Sequence, residues 1–129
     1  MTGKYLLDTN IVIAVFNGDA LLQHRVINAP EVFLSIVTLG ELFYGARNSK
    51  RVQENIARIE QFAASTTVLD CDSQTARHYG TLRAELRERG TPIPENDLWI
   101  TALASQHGLS LVTRDQHFSV FTDLRLESW

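Results

Sequence analysis

Four carboxylic acids in this chain sit where strands and helices meet. Asp8 directly follows the apolar run Tyr5-Leu6-Leu7, and Asp115 follows the apolar run Leu109 to Thr113. Glu41 lies just past the strand formers Val32-Phe33-Leu34-Ser35-Ile36, and Asp97 stands at the start of a helical stretch Leu98 to His107. Oxygen ligands of this kind, with few histidines, suit a hard divalent cation such as Mg²⁺, with Mn²⁺ as a substitute. A bound ion of that type lowers the pKa of water and steadies charge on a phosphate.

Each acid also has a purely structural reading. Asp8 could cap the helix Ile11–Phe16 or close an Asx-turn. Thr38-x-x-Glu41 fits a capping box, with Thr38 opening the helix. Asp97 could cap the helix that follows it, and Asp115 could be a turn residue. Independent caps, however, have no reason to fall after the first strand, after the second, at the start of the penultimate helix and after the fourth strand. In a parallel sheet those places converge on one edge, beyond the carboxyl ends of the strands. Carboxylates crowded there would repel each other and hold raised pKa values unless a cation joined them.

The elements that must position them alternate. Strands are expected at Tyr5–Leu7, Val32–Ile36, Thr67–Leu69 and Leu109–Thr113, with a fifth at Leu124–Leu126. Between them, helices are expected at 11–16, 19–28, from Thr38 to about Gly45, at 49–64, 73–89 and 98–107. In the third, Leu39, Leu42, Phe43 and Ala46 fall at i, i+3, i+4 and i+7 on one face. Gly90 and Gly108 end the last two helices, and the prolines at 92 and 94 keep the segment 91–96 from being helical. Alternation of this kind implies βαβ units and a mainly parallel sheet between helical layers, a three-layer α/β/α sandwich.

At 129 residues the chain suits one domain, 1–129, and 44% hydrophobic content is enough to bury its core. The longest apolar run, Ile11–Phe16, is too short to cross a bilayer. No secretory segment is evident, and the single cysteine, Cys71, excludes an internal disulfide. A cytoplasmic protein is expected, with Cys71 a buried, inert thiol. The net charge of −3 does not exclude a nucleic-acid partner, because each bound divalent ion cancels two of the acids' charges.

The blocks Asp8-Thr9-Asn10, Thr38-Leu39-Gly40-Glu41-Leu42, Asn96-Asp97-Leu98-Trp99-Ile100 and Thr113-Arg114-Asp115 resemble, in order and spacing, the signature of PIN domains, and VapC-type toxins in particular. The resemblance spans essentially the whole chain. It implies an acidic cluster of Asp8, Glu41, Asp97 and Asp115, both catalytic and metal-binding, supported by hydrogen bonds from Asn10 or Thr113. Glu95, near a position often occupied by Asp in that family, would reach a metal or its water, or face solvent. The implied activity is Mg²⁺- or Mn²⁺-dependent hydrolysis of RNA, leaving 5′-phosphate and 3′-hydroxyl ends. A tRNA or ribosomal RNA loop is the implied substrate. A small VapB-type antitoxin is the implied inhibitor, and a homodimer the implied assembly, with Leu21, Leu22 and Ile56 on candidate dimer surfaces.

Cations for the phosphate backbone are available in Arg47, Lys50 and Arg51, past the Glu41 helix, and in Arg83 and Arg87 at i, i+4. Solvated helix faces are the plainer meaning of such groups, and Arg114 could simply pair with Asp115. The four histidines show no H-x-x-x-H ligand spacing, and Trp99 reads as core packing. A metal-free ribonuclease using histidines would leave a cyclic or 3′-phosphate end instead. A phosphoacceptor receiver domain would need a lysine after a late strand, but the only lysines are Lys4 and Lys50. A haloacid-dehalogenase-type phosphatase would need Asp where Asn10 stands. The non-enzymatic rival is a PIN-like module that binds RNA or protein without cutting.

Overall fold

A computed structural model describes residues 3–129. Its sheet contains β1 (Lys4–Leu7), β2 (Glu31–Ser35), β3 (Thr67–Leu69), β4 (Ser110–Val112) and β5 (Leu126–Glu127). The order across the sheet is β3-β2-β1-β4-β5, and every pairing is parallel. Tyr5 stands opposite Val32 on one side, and Leu6 opposite Leu111 on the other. Between the strands run α1 (Thr9–Phe16), α2 (Ala20–Asn28), α3 (Ile36–Arg47), α4 (Val52–Ala64), α5 (Ser73–Arg89) and α6 (Glu95–His107). A 3₁₀ turn, Gln116–Val120, precedes β5.

The period of two along each strand separates two cores. Leu6 and Leu111 face a cluster with Leu86 of α5, Leu98, Ile100 and Leu103 of α6, and Phe118 of the 3₁₀ turn. Their neighbours Leu7, Leu34 and Val112 face the opposite cluster, with Ile11 and Val12 of α1, Leu22 of α2, Leu42 of α3 and Ile59 of α4. Helices therefore cover both faces, as a parallel sheet requires. The chain winds outward from β1 through β2 to β3, then returns to place β4 on the other side of β1. The strand order reverses between β1 and β4, and a crevice opens there at the carboxyl ends.

Several local expectations need correcting. Helix α3 begins at Ile36, capped by Ser35, whose hydroxyl accepts the Thr38 N–H at 2.8 Å. The capping box at Thr38 does not form, because the helix starts almost a turn earlier, directly from the end of β2. Helix α6 begins at Glu95, inside the segment expected to be a loop. Pro94 restricts itself and the residue before it, but as N-cap it has no N–H to satisfy and leaves Glu95 free to be helical. Asp97 is thus in the first turn rather than at the cap, where the helix dipole favours its charge. Leu22 is fully buried and cannot contribute to a dimer surface. Cys71 is exposed rather than buried. Partial desolvation, with Asp70 and Asp72 on either side, nevertheless pushes its thiol pKa up and keeps it protonated.

The 3₁₀ turn was not foreseen, since five residues carry no readable period. It is fixed by Phe118, which is fully buried, and by Asp115, whose carboxylate accepts the His117 N–H at 3.2 Å. Replacing Phe118 with Ala should lower stability by about 3–5 kcal/mol, and with Leu by much less. Urea unfolding checks this, and an alanine variant as stable as the parent would show that the turn is not anchored by its ring.

Candidate active site

The end of β1 delivers Asp8 with only 4% of its surface exposed. One carboxylate oxygen accepts the Thr9 N–H at 2.8 Å, and the other accepts the Thr113 hydroxyl at 2.8 Å. The Asp8 N–H itself donates to Val112 O at 2.9 Å. Thr113 in turn accepts the Asp115 N–H at 3.0 Å, so the ends of β1 and β4 are tied through one side chain. Asp8 does cap α1, and this structural role coexists with its place in the crevice.

Glu41, in the second turn of α3, is reached by a relay of hydroxyls. Thr9 donates to Glu41 Oε1 at 2.6 Å, and its oxygen lies 3.0 Å from the Thr38 hydroxyl. Ser35 donates to Thr38 at 3.0 Å. With the Thr9 proton committed to Glu41, Thr38 must be the donor to Thr9, which orders the chain toward the carboxylate. Asp97 and Asp115 complete the arc, bridged by His117. Its Nε2 lies 2.7 Å from Asp97 Oδ2, and its Nδ1 lies 2.7 Å from Asp115 Oδ1. Two such contacts require either an imidazolium donating at both nitrogens or a proton on one of the carboxyls.

All four acids line one open cavity of about 1020 Å³, with His117, Asn10, Ile13 and Tyr44 also on its walls. Burial raises the pKa of Asp8, and the charges of Asp97 and Asp115 add to it, against the pull of Thr113 and Thr9. Burial also raises that of Asp97, where His117 opposes the charges of Glu41 and Asp115. Acids held this way favour whatever positive charge comes to hand.

Among the described residues, no three acids or histidines are close enough to grip an ion unaided. The donor set still fits Mg²⁺. That ion is held through one or two carboxylates and keeps several waters, so it does not need a closed cage. The raised Asp8 and Asp97 pKa values mark carboxylates whose charge lacks compensation.

The remaining expected residues are placed as follows. Thr113 donates to Asp8, whereas Asn10 is exposed on the cavity wall and makes no hydrogen bond to the acids among the described residues. Its neighbour Thr9 has that role. Glu95 lies on the rim, turned toward α5, where Arg83 Nη1 approaches its Oε2 at 2.8 Å and Tyr79 donates to its Oε1. Arg47, Lys50 and Arg51 are exposed at the α3–α4 junction and do not line the cavity. Arg51 lies 3.5 Å from Glu54. Arg83 and Arg87 line an adjoining groove. Arg114 pairs with Asp19 at 3.0 Å, not with Asp115. Trp99 stacks on Tyr79 with ring centroids 4.0 Å apart, a packing contact between α5 and α6. His117 was passed over. The signal available was Asp115-x-His117, a two-residue spacing that puts both side chains at one turn, rather than a helical histidine pair.

Against this geometry, the family comparisons are consistent. The family model described as "PIN domain" matches residues 5–124, and the chain belongs to that family. Within it, the chain is 42% identical over 98% of each sequence to "Ribonuclease VapC2" of Haemophilus influenzae. It is 40% identical, again over 98% of each, to "tRNA(fMet)-specific endonuclease VapC" of Shigella flexneri. Among solved structures it is similar to the DNA-bound VapBC complex of Salmonella typhimurium, with a TM-score of 0.91 and 36% identity over 98% of both chains. The VapBC2 complex of Rickettsia felis, bound to a promoter fragment, gives a TM-score of 0.90 at 30% identity, over 98% of both chains.

The raised Asp97 pKa has a measurable sign. The native state holds that proton more tightly than the unfolded chain, so stability falls as pH rises above the ordinary value of 3.8. Asp97→Asn should therefore melt at a higher temperature than the parent at neutral pH in EDTA, and its Tm should vary less with pH. A lower Tm with an unchanged pH slope would contradict the assignment.

Proposed function

We propose that this chain is a metal-dependent endoribonuclease that hydrolyses RNA phosphodiester bonds, and that it is the toxin half of a toxin–antitoxin pair held in check by a VapB-type antitoxin. The observation that carries this reading is the convergence of Asp8, Glu41, Asp97 and Asp115 on one crevice at the point where strand order reverses. The VapC ribonucleases it resembles over nearly its whole length support the activity. The VapBC complexes support the antitoxin.

Asp8 and Asp97 are the residues that would hold Mg²⁺, or Mn²⁺ in its place, with Asp115 and Glu41 completing the donor set. A divalent ion there supplies charge neutralisation for the scissile phosphate and a lowered pKa for water. The chain's own contribution is orientation. Thr113 and the Thr9 N–H fix both oxygens of Asp8. Thr9 fixes one oxygen of Glu41, leaving the other to accept the proton of the attacking water. In-line attack at phosphorus leaves a 5′-phosphate and a 3′-hydroxyl. An ion held by these acids would compete with the contacts His117 makes to Asp97 and Asp115.

The names of the relatives support a tRNA substrate. A cytoplasmic location follows from such a substrate, and no helix among the described residues is long and apolar enough to cross a membrane. A homodimer is the proposed assembly. Exposed Leu21 and Ile27 on α2 are apolar groups that a second copy could cover.

The test is cleavage of a total-RNA and tRNA panel by the purified protein. Mg²⁺ or Mn²⁺ should support cutting with 5′-phosphate ends, while EDTA or Asp97→Asn should reduce it by at least about a hundredfold. Cutting that survives both controls would exclude the acidic cluster as the site. Binding without cutting would favour a non-catalytic PIN-like module.

A second prediction concerns Thr9. Thr9→Val keeps the shape but removes the hydroxyl that orders Glu41, and should lower kcat about tenfold or more with little change in KM. Thr9→Ser should restore most of the rate. A Thr9→Val enzyme as fast as the parent would remove the hydroxyl relay from the mechanism.

A further inference from the structure

The acidic crevice has a neighbour across Glu95. Beyond that residue, a groove of about 460 Å³ runs between the end of α5 and the turn into α6, with Arg83, Arg87, Gly90, Thr91 and Ile93 on its walls. Glu95 lines both cavities and forms the ridge they share.

Two features of the groove are not used by the acidic site. Arg87 is exposed, and its guanidinium has no ion pair or hydrogen bond among the described residues. Arg83, one turn before Arg87 on the same face of α5, is held by both oxygens of Glu95 at 3.0 and 2.8 Å. A free guanidinium and a second on an exchangeable carboxylate together suit a phosphodiester, whose oxygens accept from both.

Resting on the ribonuclease reading above, we propose that this groove is a backbone subsite that seats a phosphate of the RNA strand flanking the scissile bond. Arg87 is its donor, and Arg83 joins it by leaving Glu95 as the strand enters. RNA fits better than an acidic peptide because the groove adjoins, across Glu95, the crevice where the scissile phosphate must sit. A flanking phosphate arrives on the same strand with no separate association step. Glu95 then acts as a latch, since its charge opposes the strand and occupies Arg83 until displaced.

The experiment measures binding of a fluorescent single-stranded RNA oligonucleotide to the whole chain in EDTA, by anisotropy across a salt series. Arg87→Ala should weaken binding about tenfold and make the log–log salt dependence shallower by about 0.7, the loss of one phosphate contact. Glu95→Gln should tighten it by freeing Arg83. Melting curves of each variant exclude unfolding as the cause. Unchanged affinity and slope in Arg87→Ala, with the parent still binding RNA, would overturn the subsite and leave the ribonuclease reading standing. A parent that neither binds RNA nor cuts it with Mg²⁺ would end both. Arg87-dependent capture of a polyglutamate peptide, with RNA binding unaffected, would also overturn it, in favour of a protein partner.

Discussion

The buried carboxylate of Asp8 is the contact on which the rest of this site depends. It sits at the end of the central strand, and its two oxygens are taken by the first N–H of α1 and by a hydroxyl at the end of β4. Those two bonds register β1, α1 and β4 against each other at the one place where the sheet's winding reverses. They do not cancel the cost of enclosing a charge among other charges, which is why the group's pKa remains raised. The fold thus holds an acid in a position that is structurally useful and electrostatically unsatisfied, and the second property is the one a cation exploits.

His117 shows the same tension from the other side. Its two ring nitrogens lie 2.7 Å from Asp97 and from Asp115 and hold the two acids together. It is carried on a short 3₁₀ turn anchored by the buried Phe118, so the ring is close to its partners without being locked into a long helix. A divalent ion on the carboxylates would compete with the imidazole for the same oxygens.

Much of this was legible in the sequence because its signals were periodic or covalent in origin. The parallel α/β sandwich follows from alternation of strand-length apolar runs with amphipathic helices. The four acids were placed by their positions relative to those runs. The misreadings share one cause, which is that tertiary context chose between locally equivalent options. Ser35 and Thr38 can both cap a helix, and the end of β2 selected Ser35. Asn10 and Thr9 both flank Asp8, and the direction of α1 turned Thr9 toward Glu41. Arg114 had two acids available and met Asp19, which is 95 residues away in sequence. Glu95 and Arg83 are 12 residues apart, and only the packing of α5 on α6 joins them.

The two outer strands have a consequence for how anything can attach to this molecule. β3 offers three residues and β5 only two, so neither margin exposes a run of unpaired amides long enough to template another chain's backbone. Extension of the sheet by a borrowed strand is therefore disfavoured as a mode of recognition, and so is the edge-to-edge stacking that seeds fibrils. Whatever docks on this protein must do so through side chains, on helices and on the loops that follow the strands.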